Sequence, residues 1–115
     1  MNITINNHNF KTKTVFSSKD TQKGMMHKSF GDDFNGMLFL MDDRDHCFWM
    51  KNCIIPLDII FISDNKITKI HHNCPPCKTK DCENYCGNGD MILEIIGGSC
   101  KRLNIGVGDK IRFKN

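Results

Sequence analysis

A chain of 115 residues, 39% of them hydrophobic, is long enough to close one core without obligatory staples, so a single domain over 1–115 is expected. Its net charge of +3 comes from lysines scattered among Asp and Glu, which leaves no basic stripe to track a phosphate backbone and argues against nucleic acid as a partner. No cationic leader with an apolar run opens the chain and no stretch approaches a membrane span, so the expectation is a soluble, cytoplasmic monomer with no membrane partner.

Met1, Ile3 and Ile5 alternate with Asn2, Thr4 and Asn6, and after Asn7-His8-Asn9 a second alternating run extends from Phe10 to Phe16, which predicts a β-hairpin. Ser17-Ser18-Lys19-Asp20 predicts a helix start, because a Ser hydroxyl can cap free N–H groups and the acid suits the positive helix end. That helix is expected to be short, ending between Lys28 and Gly31, with Met25 and Met26 seating it on the sheet. Gly24 inside it costs about 1 kcal/mol relative to alanine, so a close backbone approach is expected there.

The apolar run Gly36 to Met41, closed by the turn Asp42-Asp43-Arg44-Asp45, predicts a buried strand. His46 to Lys51 predicts the next, with His46, Phe48 and Met50 on one face and Cys47, Trp49 and Lys51 on the other. Leu57 to Ile62 is apolar on both faces apart from Asp58, as a central strand requires. Ser63 to Lys66 makes a turn, Ile67 to His71 a weaker strand, and Met91 to Ile96 a strand interrupted by Glu94. Gly97-Gly98 breaks it, Ser99 caps a helical turn that Gly106 ends, and Val107 to Phe113 closes the chain with Ile111 and Phe113 inward. Seven or eight short strands with one or two short helices predict a mainly β fold, α+β at the margin: a compact antiparallel sandwich or barrel.

Gly24-Met25-Met26, Gly36-Met37-Leu38-Phe39, Phe48-Trp49-Met50-Lys51-Asn52, Ile55-Pro56-Leu57-Asp58-Ile59-Ile60-Phe61, Leu93-Glu94 and Gly108-Asp109, in that order, carry a resemblance to the domain-of-unknown-function 192 family. The resemblance implies a compact, mainly β fold found in bacteria, archaea and some phages, free or behind an export signal. It implies no activity. Members often have Pro-Cys, then Cys, then Tyr where this chain has Pro76-Cys77, Cys82 and Tyr85, so Cys74 and Cys86 look like additions.

Four of the chain's seven cysteines, Cys74, Cys77, Cys82 and Cys86, lie in a polar segment at about 71–90 with spacing C-x2-C-x4-C-x3-C. Such a segment buries too little surface to offset its own ordering. One reading is a structural zinc held by four thiolates, with His71 or His72 able to replace one, since roughly 10–16 kcal/mol is available from such sites. The short gaps leave little chain to wrap the ion, and disulfides such as Cys77 with Cys82, or free thiols, remain as alternatives. An enzymatic rival is a redox dithiol at Cys74-Pro75-Pro76-Cys77, which needs a following helix that the sequence does not provide. Cys47, Cys53 and Cys100 are expected to be buried small hydrophobes, and Met25, Met26, Met37, Met41 and Met50 to be packing.

A second, polar constellation comprises Trp49, Lys51, Asn52, Asp58 and Glu94. Convergent polar groups beside an aromatic wall make a small-ligand pocket. Structural roles compete: Asp58 satisfying turn N–H groups, Lys51 pairing with Glu94, Trp49 in the core. The expected function is a non-enzymatic binding or accessory module for a small molecule or protein, the alternative an enzyme using Glu94 or Asp58.

Overall fold

The computed structural model describes residues 1–114. It contains strands β1 (Asn2–Ile5), β2 (His8–Val15), β3 (Gly36–Trp49), β4 (Leu57–Ser63), β5 (Lys66–Cys74), β6 (Asn84–Ile96) and β7 (Ile111–Lys114), with helices α1 (Ser18–Lys23) and α2 (Ser99–Leu103). The strands form one sheet in the order β5-β4-β6-β3-β2-β1-β7. The mainly β expectation holds, but the sheet is mixed. β2 and β3 run parallel, because the chain between them crosses over through α1 instead of making a tight turn.

The sheet is curled into a half-barrel. The turn entering β5 reaches the segment entering β7 through a Lys66–Lys110 bridge, and the Ile67 N–H donates to the Asp109 carbonyl at 2.9 Å. Strand alternation then divides the interior in two. Leu38, Ile60, Ile62, Leu93 and Ile95 pack on one face with β1 and Cys100 of α2. Met37, Phe39, Ile59, Phe61 and Ile92 pack on the other with Met25, Met50 and Cys53. As anticipated, β4 is buried on both faces, with only Ser63 at its end partly open.

The first hairpin turns through Asn6-Asn7, both at positive φ (49° and 68°), the geometry a two-residue connection between twisted strands demands. α1 starts as expected, with the Ser17 hydroxyl accepting from the Asp20 N–H at 3.1 Å, but ends earlier. Gly24 is its C-cap at φ 45°, and a Cβ there would stand 3.4 Å from the Phe39 ring. The close approach is real; the helix does not continue through it. Met25 is buried beyond it and Met26 partly so.

No turn separates Gly36–Met41 from His46–Lys51. β3 runs straight through Asp42–Asp45 as a bulge, its register against β6 shifting between Leu40 and Arg44. Buried His46 holds the bulge by donating from Nε2 to the Asp42 carbonyl at 2.6 Å. On β7, the edge strand beside β1, Ile111 is inward as expected at 3% exposed, whereas Phe113, two residues further on, is 47% exposed. The expected cysteine-rich loop at 71–90 shrinks, since β5 runs on to Cys74 and β6 begins at Asn84.

Candidate functional site

Glu94 sits near the centre of the sheet, beside Met37 of β3 and Ile59 of β4, and is 3% exposed. No donor among the described residues hydrogen-bonds its carboxyl, and burial alone pushes its pKa up to about 8. Buried polar groups are ordinarily paired, because an unpaired one loses its hydration without compensation. The Glu94 carboxyl instead lines a cavity of about 270 Å³ between the end of α1 and β3.

The walls come from two places. Gly24, Met25 and Met26 form one side, held by a Met26–Cys53 bridge and by the His27 N–H donating to the Asn52 carbonyl at 2.8 Å. Phe39, Phe48 and Trp49 of β3 form the other, with Asn84 of β6 opposite Trp49 in register. Trp49 is 38% exposed, so it is wall and rim, not core. The Lys51 ammonium lies 5.3 Å from the Trp49 ring centroid, a cation–π contact, instead of pairing with Glu94.

Of the five polar residues the sequence singled out, Trp49, Lys51 and Glu94 therefore converge on one cavity. The other two do not join them. Asn52 sits at φ 60° and works through its backbone, its N–H donating to the Cys77 carbonyl at 2.9 Å and its carbonyl receiving His27. Asp58 pairs in register with Ile95, one step from Glu94, so its side chain emerges on the opposite sheet face. There it is fully buried and accepts from the N–H groups of Asn73 (2.7 Å), Gly98 (3.0 Å) and Cys100 (2.8 Å). It caps α2 from 40 residues away, the role expected of Ser99, whose hydroxyl donates backwards to the Ile96 carbonyl. α2 ends at Asn104, in the left-handed region at φ 57°, rather than at Gly106.

The sequence reading missed Phe39, Phe48, Met25, Met26 and Asn84 as pocket residues. Met25, Met26 and Phe39 had been read as packing or buried strand, Phe48 only as sharing a strand face with His46 and Met50, and the apolar character of all four fits a pocket wall as well. Asn84 carried no pattern at all.

The four-cysteine metal site is not assembled. Cys77 bonds to Cys82, as one alternative held, and Cys86 bonds across the sheet to Cys47, its register partner on β3. Cys74 is buried and free. The spacing argument failed because Cys86 belongs to a strand whose register commits it to Cys47, leaving the short-spaced cysteines on separate elements. Among the described residues no group of three or more His, Cys, Asp or Glu side chains is placed to hold a metal ion. His71 is engaged elsewhere, with its Nε2 2.8 Å from the Cys86 carbonyl and its ring edge-on to Phe61 and Tyr85. The redox-dithiol reading fails on the same geometry: Cys77 is paired with Cys82, and burial above all pushes the Cys74 thiol up to about 12. Cys47 was misjudged as a buried hydrophobe, whereas Cys53 and Cys100 are buried and free as expected, with the Cys53 thiol raised to about 12.

A thiol titration checks this pairing. Native protein should show no fast-reacting thiol, denatured unreduced protein the three free cysteines, and reduced denatured protein all seven. Seven reactive thiols before reduction would refute both bonds. Cys47 and Cys86 are 39 residues apart, so the Cys47→Ser/Cys86→Ser pair should cost about 4 kcal/mol in urea denaturation.

The sequence model of DUF192, described as uncharacterized ACR, matches residues 1–113. The chain belongs to the DUF192 family. Its fold is similar to the crystal structure of a Novosphingobium aromaticivorans protein of unknown function, at 34% identity and a TM-score of 0.86, covering 97% of this chain and 84% of that one. It is also similar to a candidate transcription regulator from Sinorhizobium meliloti, at 26% identity and a TM-score of 0.81, covering 96% of this chain and 89% of that one. No curated protein matches the chain. DUF192 carries no assigned activity, so the pocket stands on this chain's geometry alone. The DUF192-like residues Phe48–Asn52 supply its β3 wall and the turn that anchors the opposite side, while Pro56–Phe61 lead into β4 and place Asp58.

Proposed function

We propose that this domain is a small-molecule-binding module whose ligand occupies the cavity between the end of α1 and β3, with Glu94 as its polar anchor. The observation that carries the reading is a carboxyl 3% exposed, without a hydrogen-bond partner among the described residues, on the lining of a cavity of about 270 Å³. A site of that size is at the lower end of ligand pockets and suits a small metabolite. The unpaired carboxyl lowers stability, and a ligand that hydrogen-bonds it would recover what burial costs.

Two disulfides also support a working compartment where thiols oxidise, in place of the cytoplasm first expected. No helix among the described residues is long and apolar enough to cross a membrane.

The test is a thermal-shift screen of small metabolites, followed by titration of Trp49 fluorescence, which reports on the cavity because Trp49 is the only tryptophan. Ligand at a hundred times its Kd should stabilise the wild type by about 2.7 kcal/mol. The Glu94→Met variant should stay folded and lose the shift. Hits that stabilise both proteins equally, with Trp49 fluorescence unmoved, would place binding elsewhere and reject the cavity. A second reading, Glu94 as proton donor to a substrate, is favoured by its elevation to about 8, close to neutral working pH. That reading requires turnover of a bound compound, lost in Glu94→Gln.

A further inference from the structure

The lining of the cavity over Glu94 combines cationic side chains, exposed or half-buried, with a buried carboxyl. Lys23, at the exposed end of α1, and half-buried Lys51 both line it, and Lys51 stands at the exposed Trp49. Glu94, also on the lining, is 3% exposed, and burial raises its carboxyl pKa. Met25, Phe39 and Phe48 add apolar lining. The remaining titratable side chain on the lining, His46, is committed to the Asp42 carbonyl.

An organic cation is disfavoured on two counts. It would meet two lysines lining the cavity, and the Trp49 ring already carries the Lys51 ammonium. A neutral carboxyl offers one O–H donor and one carbonyl acceptor, which complements an uncharged hydroxyl or carbonyl. A charge is better placed at the rim, where water still reaches it.

We infer that the ligand is a small organic acid carrying a second, uncharged oxygen function. Its carboxylate meets Lys51 and Lys23 at the rim, its carbon chain lies against the Met25, Phe39 and Phe48 surfaces, and its hydroxyl or carbonyl hydrogen-bonds Glu94 at the buried end. This rests on the cavity being the ligand site and narrows what it takes. For a ligand whose second function is a carbonyl, the affinity should fall as pH rises through 8, because ionised Glu94 no longer donates. The other groups facing Glu94, Cys53 from the loop after β3 and Cys74 from β5, are thiols raised to about 12 and stay neutral over that range.

The experiment titrates the oxidised full chain with 4-oxopentanoate, its methyl ester, pentanoate and 4-oxopentylamine, following Trp49 fluorescence. The oxo acid should bind most tightly, with the ester and pentanoate each weaker by about tenfold or more. Lys51→Met should erase the preference for acid over ester, and Glu94→Met should invert the preference for oxo acid over pentanoate. If the amine or the ester binds best, or Lys51→Met leaves the acid preference intact, the organic-acid assignment falls while the cavity stands. If all four compounds leave Trp49 fluorescence unchanged up to millimolar concentration, this assignment falls. The cavity reading falls separately, only if the wider screen's hits stabilise wild type and Glu94→Met alike.

Discussion

Urea denaturation of the wild type and of Glu94→Gln, compared from pH 5 to pH 8, is expected to diverge by about 4 kcal/mol. Burial raises the Glu94 carboxyl from 4.5 to about 8, so between those values the folded chain holds a proton that the unfolded chain has released. Where the native state binds the extra proton, stability falls with rising pH, by about 1.4 kcal/mol per unit for one group. Glu94's contribution is therefore fully present below pH 4.5 and is lost as pH climbs through 8. Glutamine cannot titrate and removes that slope, so the difference between the two proteins isolates it from every other carboxyl. Parallel stability curves would mean that water or a conformational change already solvates the Glu94 carboxylate, and the picture of a desolvated, unpartnered acid would fail. Glu94→Met should go further at pH 8 and stabilise the fold, since an apolar side chain of similar length replaces a polar group with nothing to bond. Gain of stability with loss of ligand response is the pattern of a residue kept for function.

Asp58→Ala is expected to cost about 5 kcal/mol, enough to unfold a domain of marginal stability. The carboxylate is fully buried and collects three backbone N–H groups, two on one oxygen and one on the other, tying β5, the Gly97-Gly98 break and α2 to β4. Alanine would orphan all three donors at once. Asp58→Asn separates charge from geometry: its amide oxygen can keep Asn73 and Gly98, but its NH₂ then faces the Cys100 N–H. A smaller loss, about 2–3 kcal/mol, is expected for it. The readout is the urea midpoint, together with amide exchange at Cys100, which should accelerate in both variants. Equal, small losses in the two would show that α2 does not depend on this cap.

Asp58 and Glu94 illustrate how much was legible in the chain. Both stood out as acids in apolar strands, and both are buried in the structure. Asp58 satisfying backbone N–H groups and Glu94 in a pocket were both among the sequence's competing roles; that the two acids do not share one site was not legible, because register decides it: Asp58 lies opposite Ile95 and Ile59 opposite Glu94, so they fall on opposite sheet faces. The cysteines repeat the lesson. Their spacing in sequence suggested a tetrad, but Cys86 is paired by a strand register to Cys47, a residue outside the segment altogether.

The strands themselves are local facts. Alternation, turn residues and a run buried on both faces specify β1, β2, β4 and the Met91–Ile96 end of β6 because side chains two apart share a face wherever the chain is extended. The Ser17 cap and the seating of Met25 are local in the same way. Three features needed the tertiary structure: the parallel β2–β3 pair, the bulge that carries β3 through Asp42–Asp45, and the cavity above Glu94. Each depends on which strands become neighbours and in what register, and no residue pattern within a single segment encodes that.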